Sequence, residues 1–446
     1  MEAAAQSNAF VSTLRVETAS AASPVRSPRP LWQLALPWLL LIPMLYFAAN
    51  GTFIPHSGSV DTAATGQAGG TDAVHKLSVA FVSILCLTLV AFRFAPVFSL
   101  AQRLKLVLAF PLLAIVSFAW SVEPQQSIVS GGILFIFTVF AIYLASRFQF
   151  HRQLDFIMLL GGVCLTLSIA LALLVPSVGL TPLGWRGMFG HKQLCAATSI
   201  LFLVTALHWK CLGAYQKMFR AAFILMSLLL IVTSRSRTGW ALALVALFLS
   251  GALWLLQRVP QKQALLVILA ALPIAAAALY ALYLLSPTLL TSVGKDSTLS
   301  QRTVIWAAAW QAALQRPILG FGFAAFWKGL YGPSQAIVLI AGWGLQQAQN
   351  GFLDIWLGIG LVGLALLLLI IAQAFRNAAH CFHSALHPSY VRWCVVVIAC
   401  TVLYNIGESS MGLVNLNWFL FLLAVIGLSQ SASSSKPHFN FPVPNE

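Results

Sequence analysis

From Gly351 to Phe375 the chain reads GFLDIWLGIGLVGLALLLLIIAQAF, with a single charged side chain, Asp354, near its start. A helix of about 20 such residues, rising about 1.5 Å each, crosses a hydrocarbon core of about 30 Å. Comparable runs of about 17–25 residues recur along the chain. They begin near Leu31, Leu77, Leu106, Ser127, Phe156, Leu194, Ala221, Gly239, Ala264, Gly351, Val391 and Met411. Inside a bilayer every backbone polar group must be satisfied within the structure, so each run reads as a helix. The expected fold is all-α: a polytopic membrane protein with about twelve transmembrane helices and one large outer loop containing short helices.

Composition points the same way. Of 446 residues 60% are hydrophobic and 8% charged, where a soluble domain carries about 25% charged residues; the mean hydropathy is +0.88. The net charge of +15 is no nucleic-acid signal, because much of it flanks apolar runs, where it sets orientation and meets anionic headgroups. Cys86, Cys164, Cys195, Cys211, Cys381, Cys394 and Cys400 show no CxxC spacing, so neither a disulfide framework nor a zinc site is expected. No Walker A, HExxH or Asp-x-Asp sequence is present, which argues against ATP hydrolysis and metalloprotease chemistry.

An even number of spans puts both termini on one side. With the N-terminus inside, the inner segments hold Arg15, Arg26, Arg29, Arg93, Arg103, Lys105, Arg147, Arg152, Lys210, Lys217, Arg220, Arg258, Lys262, Arg376, Arg392 and Lys436. Lys76, Arg186, Lys192, Arg235, Arg237, Lys295, Arg302, Arg316 and Lys328 fall outside. The inner excess is what the positive-inside rule asks of cytoplasmic termini. The expected layout is an N-terminal tail over 1–30, a membrane domain over 31–430 with its large outer loop at 286–350, and a Ser/Pro-rich tail over 431–446. The apolar stretch from Leu31 exceeds the core of a signal peptide, so it reads as an uncleaved first span.

The outer cations gather around short polar motifs: Trp185-Arg186-Gly-Met-Phe-Gly-His191-Lys192, Ser234-Arg235-Ser236-Arg237-Thr238 and Ser300-Gln-Arg302-Thr303. Outer loops must be translocated and are usually poor in Lys and Arg, so this clustering suggests a held polyanion such as a lipid-linked pyrophosphate. Arg235 and Arg237 read as the outward C-terminal end of a span, where the helix dipole alone would favour them. Their Ser and Thr neighbours and the lack of a nearby acid suit bidentate phosphate capture instead. Arg186, His191 and Lys192 lie in a turn whose Gly184, Gly187 and Gly190 let backbone approach a ligand, and His191 brings an imidazole there.

Gln346, Asn350 and Asp354 fall at i, i+4 and i+8, one face of a helix, which places Asp354 about one turn into the membrane. Glu408 is a second acid at an outer helix junction, and each acid suits either chemistry or ion pairing. In the large loop a helix is expected from Ser300 to about Gln315, stopped by Pro317. Its stripe of Val304, Ile305, Trp306, Ala309, Trp310 and Ala313 suggests an interfacial lid. Gly320-Phe-Gly322-Phe323 reads as a flexible turn.

Taken in order, Trp120-Ser121-Val-Glu-Pro124, Gly190-His-Lys-Gln193, Ser236-Arg237-Thr238, Gln301-Arg302-Thr-Val-Ile-Trp306, Pro317-Ile-Leu-Gly320-Phe-Gly322, Asn350-Gly-Phe-Leu-Asp354 and Gly360-Leu-Val-Gly363 resemble the O-antigen ligase and polymerase family, in its exopolysaccharide-polymerase branch. The resemblance covers about residues 110–370. It implies metal-independent glycosyl transfer, with no cofactor, at the periplasmic face of a bacterial inner membrane, and an undecaprenyl-pyrophosphate-linked glycan as donor. Flippase, chain-length and export proteins are the partners implied, with the bilayer and without nucleic acid.

The resemblance maps pyrophosphate contacts to Arg237 and Arg302, with Arg186 a further candidate. Most members carry a histidine directly before the Asn of the Asn350 motif. Here Gln349 stands there; an amide can bind an acceptor sugar but cannot serve as a general base. The expected catalytic set is therefore Arg237 and Arg302 with His191, Asp354 and Glu408 as candidate bases. Arg186, Lys192, Arg235, Gln349 and Asn350 form the expected binding set. Trp185, Trp306, Trp310, Trp327 and Trp343 suit either sugar stacking or interfacial anchoring.

Transfer of finished O-antigen onto lipid A-core is the nearest alternative. A transporter or lipid flippase would instead show repeat symmetry and polar breaks near mid-membrane, and neither is visible. A periplasm-active reporter fused after Leu330 should give an exported readout; a cytoplasmic readout would reverse the assignment of sides.

Overall fold

In a computed structural model the described residues are 31–49, 71–260, 300–382 and 388–434. The expected span near Ala264 and the start of the large loop lie outside them, as do the two tails up to residue 30 and from residue 435. The helices are α1 Leu31–Ala48, α2 Thr71–Ala91, α3 Phe94–Ala101, α4 Lys105–Val116, α5 Pro124–Arg147, α6 Phe150–Leu174, α7 Pro176–Gly179 and α8 Lys192–His208. Then come α9 Ala214–Thr233, α10 Arg237–Leu256, α11 Ser300–Gln315, α12 Gln335–Ala341, α13 Gly351–Cys381, α14 Pro388–Gly407 and α15 Leu416–Ser434. The only strands among the described residues are β1 Leu180–Thr181 and β2 Gly184–Trp185, an antiparallel pair. The chain divides at Ile42 into two units, Met1–Ile42 and Pro43–Glu446. The first holds the opening turns of α1, and the second holds everything described below.

This is an all-α, multi-pass membrane protein. Among the described residues seven helices are long and apolar enough to cross a membrane: α5, α6, α9, α10, α13, α14 and α15. The expected span near Leu77 is a pair of helices, Lys76–Ala91 and Phe94–Ala101, bent by 92°. Those near Leu106 and Leu194 are shorter helices, α4 and α8. Helix α8 is nearly all buried, Thr198, Ser199 and Thr205 included, and it packs on α6, α9, α10 and α14. An interior helix of this kind can be short because its neighbours, not lipid, cover its ends.

Hydrogen bonds between connecting segments sort the loops to two ends. At one end Trp209 Nε1 donates to Asp155 Oδ1 at 2.7 Å, Tyr390 Oη bonds Gln153 at 2.8 Å and Gln257 Nε2 donates to Phe382 O at 3.3 Å. At the other, Lys192 Nζ reaches Arg235 O at 3.3 Å, and the backbone joins Val122 N to Phe321 O and Gly351 N to Glu408 O. The described motif residues of the sequence all lie at this second end.

The position of that end is set by a break in α13. At about 46 Å this helix is longer than a hydrocarbon core of about 30 Å. Ile359 and Gly360 leave helical geometry, Gly360 with φ +70°. The freed groups are taken up by the segment that follows α11: Phe321 N and Gly322 N donate to Leu357 O and Gly358 O, each at 2.8 Å, while Leu361 N and Val362 N donate to Pro317 O and Ile318 O at 2.8 and 3.3 Å. On its other side the segment is clamped by the α4–α5 turn. Trp120 Nε1 donates to Leu319 O at 2.8 Å, Phe323 N to Ser117 Oγ at 3.0 Å and Ser127 Oγ to Phe323 O at 2.8 Å.

Two expectations change here. Gly320-Phe-Gly322-Phe323 is not a flexible turn; its glycines are needed because a Cβ at Gly322 would meet Ser121 Oγ at 2.0 Å. Gln346, Asn350 and Asp354 do not share a helix face, because α13 starts at Gly351 with Asn350 as its cap. Large exposed apolar side chains on α13 begin only at Leu361, so Asp354 sits in the part enclosed by protein. The expected helix over 300–315 is present, with Ile305, Ala309 and Ala313 buried while Val304 and Trp310 face outward.

A Cβ at Gly360 would lie 2.0 Å from Ile318 O. Gly360→Ala should therefore lower stability by about 2 kcal/mol or more. Gly132→Ala, where no atom lies within 4 Å of the added carbon, should raise it by about 0.5–1 kcal/mol. Thermal melts of both variants in detergent check the pair.

Candidate functional site

Three groups of side chains meet at the motif end. The first surrounds the N-termini of α8 and α10. The β1–β2 hairpin is closed by Arg186, whose Nε donates to Val178 O at 2.6 Å. Buried Lys192 staples this hairpin to the α9–α10 turn, donating to Leu183 O at 3.1 Å and Arg235 O at 3.3 Å. Gly184 is required at the contact, since a Cβ there would lie 2.3 Å from Ser234 O.

His191 caps α8, its Nδ1 accepting from Leu194 N at 3.4 Å and lying 3.0 Å from Gln193 Oε1. Ser236 caps α10 by accepting from Gly239 N at 3.1 Å. Gly239 packs on Ala196, where a Cβ would come within 2.6 Å, so the two N-termini lie side by side. Arg235 is exposed with φ +49°.

The position of Arg237 corrects the sequence reading. It is the first residue of α10 rather than the last of the preceding span. A cation at a helix N-terminus adds to the positive end of the dipole, so anchoring does not explain it. Among the described residues its side chain has no hydrogen bond or ion pair. Free guanidinium donors beside two helix N-termini suit an anion.

The second group is an ion pair. Arg302 Nη2 lies 2.5 Å from Glu408 Oε1, and the carboxylate side chain is only 3% exposed. The guanidinium sits against Gly407, where a Cβ would be 3.3 Å from Nη1. One carboxylate oxygen occupies one edge of the fork, and the remaining N–H groups can take a further anion.

Asp354 organises the third. Its Oδ1 accepts from Trp327 Nε1 at 2.7 Å and Ala348 N at 2.9 Å, and its Oδ2 from Ala348 N at 3.2 Å and from Ser409 Oγ. These three donors occupy most of the carboxylate's acceptor positions and pin their segments to the start of α13. Asn350 caps that helix, Oδ1 accepting from Phe352 N and Leu353 N at 3.1 Å each. Gln349 adopts φ +54°, and its amide has no partner among the described residues. The turn after α14 is shaped by buried Asn405, whose Oδ1 accepts from Ser410 N at 2.7 Å and Met411 N at 2.9 Å.

Glu408 and Ser409 thus tie the Arg302 pair to the Asp354 hub. A cavity of about 670 Å³ opens beside Asp354 and Ser409, walled by Trp327, Trp343 and Gln347. Neither Arg237 nor Arg302 lines it. The parts played by Trp327, Asn405 and Ser409 carried no distinctive sequence signal. Trp306, expected to stack or anchor, donates to Ala348 O at 3.0 Å and is structural.

Residues 221–368 match the O-antigen ligase family model. Over that segment the chain is related to the O-antigen ligases. A stretch of 90 residues is also 31% identical to the exopolysaccharide production protein ExoQ of Rhizobium meliloti (strain 1021), covering 20% of this chain and 21% of that one. The match spans about a fifth of that relative's length. The matched segment, from α9 into α13, contains Arg235, Arg237, Arg302, Gln349, Asn350 and Asp354. Arg186, His191, Lys192 and Glu408 lie outside it; Lys192 joins it through Arg235 and Glu408 through Arg302.

Arg302→Ala strands the Glu408 charge and should lower stability by about 3–5 kcal/mol. Adding Glu408→Gln should restore most of the melting temperature without restoring polysaccharide formation. If the double variant recovered both, Arg302 would serve only to neutralise Glu408.

Proposed function

We propose that this chain is an inner-membrane glycosyltransferase of exopolysaccharide synthesis. It transfers an undecaprenyl-pyrophosphate-linked glycan to the hydroxyl of an acceptor sugar at the periplasmic face. The carrying observation is Arg237, a guanidinium with no partner among the described residues at the N-terminus of α10, at the same end of the bundle as Arg302 and the cavity. That arrangement suits a leaving group whose negative charge grows as its bond to carbon breaks. The kinship with O-antigen ligases and the exopolysaccharide role in the relative's name support glycan transfer and favour polymer formation over transfer to lipid A-core.

In the reaction an acceptor hydroxyl oxygen bonds to the anomeric carbon of the donor. The bond from that carbon to pyrophosphate oxygen breaks, and its electron pair leaves with the lipid pyrophosphate. Arg237 and Arg302 hold the pyrophosphate, with Arg235 and the loop of Arg186 and Lys192 adding positive potential. The hydroxyl proton passes to solvent. Gln349 supplies an amide, without a partner among the described residues, to sugar at the reacting centre, and Asp354 and Glu408 position Ser409 and Arg302. His191 is the one candidate base whose second ring nitrogen, Nε2, has no partner among the described residues.

The opposite end carries Arg93, Arg103, Lys105, Arg147, Arg152, Lys210, Lys217, Arg220, Arg258, Arg376 and Arg392, with Asp155 as its acid among the described residues. By the positive-inside rule that end is cytoplasmic. In a deletion strain complemented with Arg237→Ala, polymer should fall by a factor on the order of 10²–10³. Lipid-linked single repeats should build up at unchanged protein level in the membrane. Normal polymer would rule out the clamp.

A further inference from the structure

We propose that the cavity beside Asp354 is the acceptor subsite and takes an uncharged carbohydrate chain, leaving the lipid pyrophosphate to the arginines. This rests on the glycosyl-transfer reading above. The cavity's volume of about 670 Å³ lies within the range of ligand sites, about 300–1,000 Å³, and has room for more than one sugar ring. Its walls offer what a sugar presents. Trp327 and Trp343 supply flat apolar faces for the C–H side of a ring, and Gln346 and Gln347 supply amides with no hydrogen-bond partner among the described residues.

Charge separates this cavity from the anion site. Among the described residues its one lining cation, Lys328, is paired with Glu123 at 3.8 Å, and its one lining acid, Asp354, is committed to Trp327, Ala348 and Ser409. A pyrophosphate would find no free cation there. A polyprenyl tail is the rival occupant, because the wall also holds the exposed apolar side chains Leu330, Leu339 and Leu413. Against it, the α13 residues in the wall, Asp354, Ile355 and Gly358, precede Leu361, where the exposed apolar face of that helix begins.

The placement also suits the chemistry. Ser409 lines the cavity while its neighbour Glu408 grips Arg302. With its O–H donated to Asp354 Oδ2, Ser409 Oγ offers lone pairs to an acceptor hydroxyl. Two consecutive residues therefore separate the acceptor's space from the held leaving group.

The test uses the full chain in nanodiscs and oligosaccharides released by mild acid from the producing strain's own exopolysaccharide, with binding followed by saturation-transfer NMR. Trp343→Ala and Gln347→Ala should each weaken binding, the former by about tenfold, the worth of one stacking contact. Trp343 donates no side-chain hydrogen bond among the described residues, so its melt should not change. Arg237→Ala should bind the oligosaccharide as the unaltered chain does. Unchanged binding in both cavity variants, or no binding to the unaltered chain, would overturn the proposal. So would displacement of the oligosaccharide by undecaprenyl phosphate carrying no sugar, which would give the cavity to the lipid tail. Failure of the clamp reads out separately, as normal polymer from Arg237→Ala.

Discussion

Everything at the motif end hangs on how the backbone of one broken helix is satisfied. Breaking α13 at Ile359–Gly360 exposes carbonyls and amides that have no water to turn to, and each unmade bond costs on the order of 1–3 kcal/mol. The Pro317–Gly322 segment supplies the partners, pairing with Leu357, Gly358, Leu361 and Val362. Because the same segment is gripped by Ser117, Trp120, Val122 and Ser127, the large loop is anchored to the bundle at that point. The cavity wall begins at Phe323, the last clamped residue.

The site is built in layers from that anchor. The clamp places Trp327 and Ala348 where the Asp354 carboxylate can bind both, and Ser409 completes the set. Ser409 is adjacent to Glu408, so the turn that closes the Asp354 hub also orients Arg302. Asn405 shapes that turn from below, through bonds to the backbone of Ser410 and Met411. The two acids act through what they hold: one fixes loops, the other aims a cation. Arg237 differs in being held by nothing described, which leaves its donors free for an anion.

Some of this could be read in the sequence and some could not. Pro317 ending a helix begun at Ser300, and the clustering of cations near polar motifs, are local signals, and local signals survive translation into structure. Arg237 was placed on the wrong side of a helix boundary, because Ser236 as an N-cap and Thr233 as a helix end look alike in a polar run. Gln346, Asn350 and Asp354 were grouped by helical spacing across a cap, where the period does not apply. The flexible reading of Gly320–Phe323 failed for a different reason: the residues that immobilise it are about 200 positions earlier in the chain or in the break of α13.

By itself the sequence determined the class of this protein and set an expectation for its polarity. Apolar runs long enough for a bilayer, and cations distributed unevenly between their ends, follow from hydropathy and charge, which each residue carries wherever it sits. It also marked the arginines, because a cation in an outer loop is anomalous without reference to its neighbours. Only the tertiary structure decided that Arg302 is bound to Glu408, that Asp354 is a hub, and that a cavity opens beside Ser409. Those are facts of distance between segments remote in the chain, and no local pattern of residue types encodes them.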